Sequence, residues 1–342
     1  MTTAYVYDPR YLDHASLTGE HPERPMRLLA IQDVLAQYGI LDRMLAVPAH
    51  DVSDNDLLRV HLRSYVNRLQ HISATGGALL DPDTYVAKGS YEVARLAAGG
   101  CVAVVDAVLD GVADNGFAFI RPPGHHSFSD RGEGFCLFNN VAVAARHAQA
   151  QGLDKVAIVD FDVHHGNGTQ AIFYYDPSVL YISTHQWPLY PGTGHWRETG
   201  ASEGRGYTVN ITLPPGAGDL SFALAWEYVI GPALTRFGPD LLLISAGFDA
   251  HWRDPLAMLQ LSIPGYAQLT RNLVQFAQTY CHGRVVTILE GGYDLDALAY
   301  GSLAVARVLL GDSTVTDPLG LSTWPEEDAA SMLQGIAKLH GL

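Results

Sequence analysis

Short apolar runs recur along the whole chain and predict the strands of a sheet. Several of these runs are apolar throughout rather than alternating with polar residues. Strands covered on both faces show this pattern, so the runs predict a parallel sheet buried between helices. The predicted strands cover residues 4–7, 117–120, 155–159, 179–183, 207–212, 241–245 and 285–289.

Longer stretches between these runs repeat apolar residues at helical spacing. The predicted helices cover residues 26–38, 91–109, 140–151, 220–237, 265–278 and 296–310. Because strands and helices alternate, we expect an α/β fold with right-handed crossovers. No Pro/Ser-rich linker, repeat or charge block separates the functional segments, so we expect residues 1–342 to form a single domain.

The charge composition argues against one class of binding partner. A formal net charge of -15 argues against sequence-independent nucleic-acid binding, which requires a clustered basic surface. The acidic excess would attract a cationic ligand, but it would equally keep a protein dissolved, and both interpretations stay open.

The apolar stretches and the cysteines indicate the cellular environment. No stretch reaches the roughly 20 apolar residues of a membrane span, and the amino terminus lacks a signal pattern. Three cysteines (Cys101, Cys136 and Cys281) do not make a disulfide framework, so we expect buried thiols. The sequence thus predicts a soluble cytoplasmic protein that does not contact a membrane.

Four of the predicted strands lead directly into segments rich in His, Asp and Glu. These segments are residues 121–126 (RPPGHH), 160–170 (DFDVHHGNGTQ), 245–251 (SAGFDAH) and 290–294 (EGGYD). In open α/β sheets, ligands bind beyond the carboxyl ends of parallel strands, so we expect the four segments to converge on one crevice.

Asp162 and His164 form half of a candidate metal site. Their Asp-x-His spacing on an extended segment points both side chains to the same side. Carboxylate and neutral imidazole suit a borderline divalent cation. Alone, this pair is equally compatible with a hydrogen-bonded strand end.

Seven motifs taken together resemble the zinc-dependent histone deacetylase superfamily, and most closely its class II and bacterial deacetylase-like branch. They are HPERP at 21–25, RPPGHH at 121–126, GFCLFNN at 134–140, DFDVHHGNGTQ at 160–170, PGTG at 191–194, SAGFDAH at 245–251 and LEGGYD at 289–294. The resemblance implies an arginase-like three-layer α/β fold, with a central, mainly parallel sheet of about eight strands. It also implies metal-dependent hydrolysis of N-acyl amines.

The resemblance implies that Asp162, His164 and Asp249 bind the catalytic metal. Two carboxylates and one imidazole leave positions open for water and a substrate carbonyl, as a catalytic zinc site requires. Zn(II) is the expected ion. Fe(II) and Co(II) stay open, because such a ligand set does not select strongly among these ions.

The same resemblance gives roles to five further residues. His125 and His126 would be the paired imidazoles that move protons, and Asp160 would orient His125. Asn167 would bond His126 where the class I branch carries Asp, which makes His126 less cationic and the candidate base. An Asn167→Asp variant with an unchanged pH-rate profile would contradict this hypothesis. Tyr293 would donate a hydrogen bond to the oxyanion.

Phe135, Tyr190 and Leu256 match the apolar walls of the family's acyl-lysine tunnel. Gly134 would let an alkyl chain approach closely. Asp83 matches the rim aspartate that accepts hydrogen bonds from a peptide, although a plain turn aspartate explains it equally well.

Two structural potassium sites are also implied by the resemblance. The first would use the side chains of Asp160 and Ser183 and the carbonyls of Asp162, His164 and Thr184. The second would use the carbonyls of Phe173, Asp176, Val179 and Tyr207.

The leading hypothesis is a metal-dependent amidohydrolase that removes the acetyl or another acyl group from N-ε-acyl-lysine. An acetylpolyamine amidohydrolase is the main alternative, and Leu256 argues against it, because one polyamine-selective branch has an acidic residue there. A catalytically silent acyl-lysine binder is the third possibility, which the complete set of ligands, histidines and Tyr293 disfavours. Acyl-chain length and oligomeric state stay open.

Overall fold

The computed structural model describes residues 1–16 and 21–342. Its strands are β1 (Thr3–Val6), β2 (Leu45–Ala46), β3 (Gly77–Leu79), β4 (Tyr85–Ala87), β5 (Asn115–Ala118), β6 (Val156–Asp160), β7 (Val179–Gln186), β8 (Thr208–Leu213), β9 (Leu241–Ala246) and β10 (Val285–Leu289). Eight of them form one parallel sheet in the order β2, β1, β5, β10, β9, β6, β7, β8. β3 and β4 form a separate antiparallel pair.

The seven predicted strands all overlap strands of this sheet, and the α/β fold with about eight strands is confirmed. The sequence pattern missed β2, which has only two residues and lies exposed at the sheet edge. It also missed the β3–β4 pair. Strands this short leave no detectable period in the sequence.

The α-helices are α1 (Met26–Gln37), α2 (Asp54–Leu57), α3 (Arg63–Ala74), α4 (Ser90–Leu109), α5 (Asn140–Ala150), α6 (Asn167–Phe173), α7 (Asp219–Ala225), α8 (Gly231–Phe237), α9 (Ile263–Tyr280), α10 (Leu295–Leu309) and α11 (Ala330–His340). Each predicted helix is present, but α2, α3, α6 and α11 were not predicted.

One predicted helix, residues 220–237, is not a regular α-helix. A π-helical turn, Trp226–Ile230, joins α7 to α8, and the amide of Gly231 donates to the carbonyl of Trp226, five residues earlier. Pro232 explains the wider turn, because proline has no N–H and its ring clashes with the carbonyl four residues before it.

Helices enclose the central part of the sheet. α1 packs against α10 and α10 against α9, while α4 packs against α5, β1 and β5. Every residue of β5 to β10 is buried, as the uninterrupted apolar runs predicted. The three cysteines are buried and free, as predicted. None of the helices described is long and apolar enough to cross a membrane.

The strand register places the ends of the three central strands side by side. Asp160 on β6 pairs with Ser245 on β9. Ala246, the next residue of β9, pairs with Leu289 on β10. Residues that follow these strands therefore emerge at the same edge of the sheet.

A buried ion-pair cluster holds the HPERP segment against this edge. Glu23 accepts two hydrogen bonds from Arg121, at 2.5 and 2.7 Å, and one from Arg27 at 3.2 Å. All three side chains are fully buried. Burial alone would raise the pKa of Glu23, but the two arginines outweigh it and lower the pKa to about 2. Arg27 also donates to the carbonyl of Gly292, so the cluster reaches the segment that carries Tyr293.

We predict that Arg121→Met lowers the free energy of unfolding by about 3 kcal/mol, because Glu23 would stay buried with only Arg27 as a cationic hydrogen-bond partner. Urea unfolding at neutral pH measures this. Arg24→Met, at an exposed position in the same segment, is the control and should change stability by less than about 0.5 kcal/mol. Equal losses of stability in the two variants would show that the cluster does not stabilise the fold.

Candidate active site

Three predicted metal ligands meet beyond the ends of β6 and β9. Asp162 and His164 follow β6, and Asp249 follows β9. Their ligand atoms all lie within 4.8 Å of one another, and all three residues are buried. His164 Nδ1 lies 3.1 Å from Asp162 Oδ1 and 3.3 Å from Asp249 Oδ2. No other group of three such His, Cys, Asp or Glu ligands occurs in residues 1–16 and 21–342.

Main-chain N–H groups from neighbouring segments orient the two carboxylates. Asp162 Oδ2 accepts from the amide of Gly291 at 2.8 Å, and Asp249 Oδ1 accepts from the amide of Val163 at 3.0 Å. Asp249 Oδ2 is buried without a hydrogen bond from the described residues, although His164 Nδ1 is near. An uncompensated buried oxygen beside a carboxylate and an imidazole fits a cation.

The electrostatics of this triad also favour a bound cation. Burial and the nearby Asp162 raise the pKa of Asp249. Burial disfavours the charged form of His164, but Asp162 and Asp249 outweigh burial and raise its pKa to about 10. The triad therefore attracts positive charge. Two carboxylates and one imidazole suit Zn(II), Fe(II) or Co(II).

His125 lies beside the triad and is oriented by Asp160. His125 Nδ1 lies 3.0 Å from Asp160 Oδ2, which also accepts a hydrogen bond from Tyr181 at 3.0 Å. Since a carboxylate only accepts, Nδ1 carries the proton and Nε2 faces Asp162 Oδ1 at 3.8 Å. Burial lowers the pKa of His125, but Asp162 and Asp160 outweigh burial and raise it to about 10.

His126 has a different environment. Its ring centre lies 4.1 Å from that of His125, and its Nδ1 lies 2.8 Å from Asn167 Oδ1. Burial, followed by the charges of His125 and His164, holds the pKa of His126 well below its usual value. The structure thus brings Asn167 to the position predicted for it and makes the two imidazoles electrostatically unlike.

Glu290 is a buried carboxylate whose role the sequence reasoning missed. Its Oε2 accepts from the amides of Gly124 and His125, at 2.7 and 3.1 Å, and its Oε1 accepts from Ser245. Burial raises the pKa of Glu290 to about 7. These bonds hold Gly124 and His125 against β9 and β10. The residue stands in the LEGGYD motif, but nothing in that motif indicates its partners.

A cavity of about 360 Å³ reaches His164 of the triad. Its lining contains all five predicted tunnel residues, namely Gly134, Phe135, Tyr190, Leu256 and Asp83, together with His126, His164 and Tyr293. His21, Pro22 and Leu189 also line it and were not predicted. Hydrophobic and aromatic walls around a few polar groups are typical of a small-molecule or side-chain binding site.

The backbone at Gly134 and Phe135 has an unusual conformation. Gly134 has φ +55°, and a side chain there would collide with the ring of His126. Phe135 has φ +70°, a left-handed conformation that a phenylalanine rarely adopts, and its amide donates to Thr84 Oγ1 at 3.0 Å. This segment therefore turns the Phe135 ring to within 5.8 Å of the Tyr293 ring, measured between centres.

Tyr293 is positioned by Asp254, a second residue that the sequence reasoning missed. Asp254 Oδ2 accepts from the amides of Tyr293 and Asp294, and its Oδ1 accepts from the amide of Leu256. Burial, followed by the charge of Asp249, raises the pKa of Asp254 to about 7. One carboxyl group thus links a wall of the cavity to the tyrosine.

The residues predicted to bind potassium lie along the strands next to the triad. Thr184, on β7, donates to the carbonyl of Asp160 at 3.3 Å, and Ser183 Oγ lies 2.9 Å from His185 Nδ1. The second group lies around the start of β7, where the amide of Asp176 donates to the carbonyl of Phe173. Both potassium sites stay predictions.

Comparison with known proteins gives consistent matches. A family model described as the histone deacetylase domain matches residues 21–309. A probable deacetylase from Archaeoglobus fulgidus is 42% identical, over 99% of this chain and 98% of that protein. A histone deacetylase-like amidohydrolase from Pseudomonas aeruginosa is 42% identical, over 92% of this chain and 82% of that protein. The crystal structure of the HDA15 HD domain has a TM-score of 0.92 at 39% identity, covering 99% and 94% of the two chains.

We predict that Zn(II) stabilises the metal-free protein through the triad. At about 100 times its dissociation constant, a ligand of the folded state adds about 2.7 kcal/mol to the free energy of unfolding. Asp249→Asn should lose most of this gain, because it removes a charged ligand. Asp83→Asn, which changes an acid of the same cavity outside the triad, should keep it. Equal zinc stabilisation of Asp249→Asn and wild type, measured by denaturation, would rule out the triad as the zinc site.

Proposed function

This chain belongs to the histone deacetylase family, and we propose that it is a zinc-dependent hydrolase that removes the acyl group from N-ε-acyl-lysine. One observation carries the proposal. The cavity with apolar and aromatic walls is also lined by His164, a member of the candidate metal triad, and by His126 and Tyr293. An extended alkyl chain in the cavity would present its amide to all of these groups.

Asp162, His164 and Asp249 would hold the zinc ion. When bound, a divalent cation polarises an amide carbonyl and lowers the pKa of water, which is the chemistry that amide hydrolysis requires. The walls formed by Phe135 and Leu256 would exclude other water from the triad and hold the amide in place.

His126 would accept the proton of the attacking water. Its Nδ1 is engaged with Asn167, so its Nε2 is the nitrogen that can take the proton. Its pKa, held low mainly by burial, keeps the imidazole neutral and thus able to act as a base. The pair of His125 and His126 would then return a proton to the departing amine.

Tyr293 would donate a hydrogen bond to the oxygen of the attacked carbonyl as negative charge develops there. Tyr293 belongs to the cavity lining, and its main-chain amide donates to Asp254 Oδ2 at 2.7 Å. The guanidinium of Arg27 lies over the ring, 5.2 Å from its centre. Asp254 thus fixes the backbone of Tyr293 and Arg27 restrains its ring, so the donor would be oriented before the reaction begins.

An acetylated polyamine is the alternative substrate. Asp83 lies in the cavity lining, and the chain carries a net charge of -15, so a cationic substrate would be attracted. Leu256 offers no charge at the corresponding wall. A peptide carrying acyl-lysine, whose uncharged chain suits these walls, is therefore preferred in the proposal.

Structural potassium ions and a single catalytic domain are also part of the proposed enzyme. Potassium would occupy the two structural sites and rigidify the loops near the triad. Residues 1–342 would act as one catalytic domain, since one continuous apolar core extends through the described residues on either side of the gap at 17–20.

We predict that the zinc-loaded protein hydrolyses an acetyl-lysine peptide with a higher kcat/KM than N-acetylputrescine or N-acetylspermidine. Chelation should abolish turnover, and Zn(II) should restore it. A preference for the polyamines would change the assigned substrate but leave the proposed reaction and the residue roles unchanged. Binding of the peptide without turnover of any substrate would indicate the silent binder and refute the proposed activity.

Tyr293→Phe should lower kcat about 10²- to 10³-fold, because it removes one donor to the oxyanion. Steady-state kinetics on the peptide measures this. Tyr280→Phe is the matched control, because Tyr280 is 54% exposed at the end of α9, outside the cavity. If Tyr293→Phe retained the wild-type kcat, the tyrosine would not be the oxyanion donor.

A further inference from the structure

We propose that Glu133 is a positioning residue that fixes the protonated nitrogen of His126 through Asn167. The inference rests on the proposed function, in which His126 is the base. Glu133 precedes Gly134 at the cavity but is not part of its lining. It would act on the His126 imidazole through the side-chain amide of Asn167, which contacts both residues.

The hydrogen bonds define a single orientation for Asn167. Its Nδ2 donates to Glu133 Oε1 at 2.7 Å. A carboxylate has no hydrogen to donate, so the NH₂ group of the amide must face Glu133. The amide oxygen then faces His126, where it also accepts from the amide of Gly168 at 3.1 Å.

The orientation of Asn167 in turn determines the tautomer of His126. The amide oxygen, 2.8 Å from His126 Nδ1, can only accept, so Nδ1 carries the hydrogen. In the neutral ring, Nε2 then has a free lone pair. If Asn167 turned over, its NH₂ group would face Nδ1, the hydrogen would move to Nε2, and His126 could not accept a proton there.

Glu133 is itself held in place. Its Oε2 accepts from Arg131 Nε at 3.1 Å, and its side chain is 22% exposed, whereas Asn167 is buried. The chain of contacts therefore runs from the protein surface to the catalytic imidazole. Because the Glu133 side chain is only partly buried, a substitution there would disturb the fold less than one at the buried Asn167.

Three variants test this role. Glu133→Leu removes the acceptor and lets Asn167 turn over, although Gly168 still opposes this. Glu133→Gln keeps a carbonyl that can accept from Asn167. Glu203→Leu changes an exposed glutamate away from the cavity and is the control. We expect Glu133→Leu to lower kcat about 10- to 100-fold at an unchanged KM, the range typical of residues that orient the ligands of a metal. Glu133→Gln should recover most of it.

The tautomer is measured directly by ¹⁵N NMR of the histidine rings in the zinc-loaded protein, with His126→Gln to assign the signals. We expect a protonated Nδ1 and a bare Nε2 in the wild type, and a growing Nε2-protonated population in Glu133→Leu. A protonated Nε2 in the wild type, or a wild-type spectrum and kcat in Glu133→Leu, would overturn the inference. So would a changed KM at constant kcat, which would make Glu133 a rim charge for the substrate.

Failure of the proposed function gives a different result. A wild-type protein that hydrolyses no acyl-lysine peptide refutes the function. The NMR comparison needs no substrate, so it supports or overturns the link between Glu133 and the His126 tautomer in either case.

Discussion

The burial of four carboxylates where β6, β9 and β10 end is the constraint on which the rest of the site depends. These fully buried acids are Asp160, Asp162, Asp249 and Glu290. Removing an ion from water costs several kcal/mol, and four like charges also repel one another. Main-chain N–H groups and two imidazoles offset part of this cost. The part left over is concentrated at Asp249 Oδ2, which lacks a hydrogen bond from the described residues. A cation there would offset the remaining cost. The buried negative charge that destabilises the fold is therefore also the charge that would bind the catalytic metal.

The bonds that stabilise these carboxylates also set the geometry of the site. Asp162 accepts from a segment that follows β10, and Asp249 accepts from one that follows β6, so the loops are tied to each other in pairs. The ties extend outward through Arg27, which joins the buried Glu23 cluster to the carbonyl of Gly292. Disruption of that cluster would therefore also disturb the position of Tyr293.

The fold was largely predictable because its dominant strands are buried on both faces. Such strands appear in the sequence as uninterrupted apolar runs. The predictions failed where that physical cause was missing. β2 is exposed and two residues long, and the π turn at Trp226–Ile230 follows from one proline inside an otherwise helical pattern. At the site, the three predicted metal ligands lie together and the five predicted tunnel residues line one cavity, but the partners that orient these groups did not follow from the motifs. Glu290, Asp254 and Glu133 each act through contacts between segments distant in sequence.

The sequence by itself determined the α/β class, the strands that matter and the residue types that strand ends would bring to one edge. Those properties follow from hydrophobic period and from the spacing of ligands, both of which are local. The tertiary structure alone decided which oxygen of Asp249 lacks a hydrogen bond from the described residues, which atom of the Asn167 amide faces His126, and how Phe135 faces Tyr293. These depend on the direction of individual hydrogen bonds and on one left-handed backbone angle. Such directions arise only when segments separated by tens of residues are packed together, because a donor and its acceptor are chosen by distance in space.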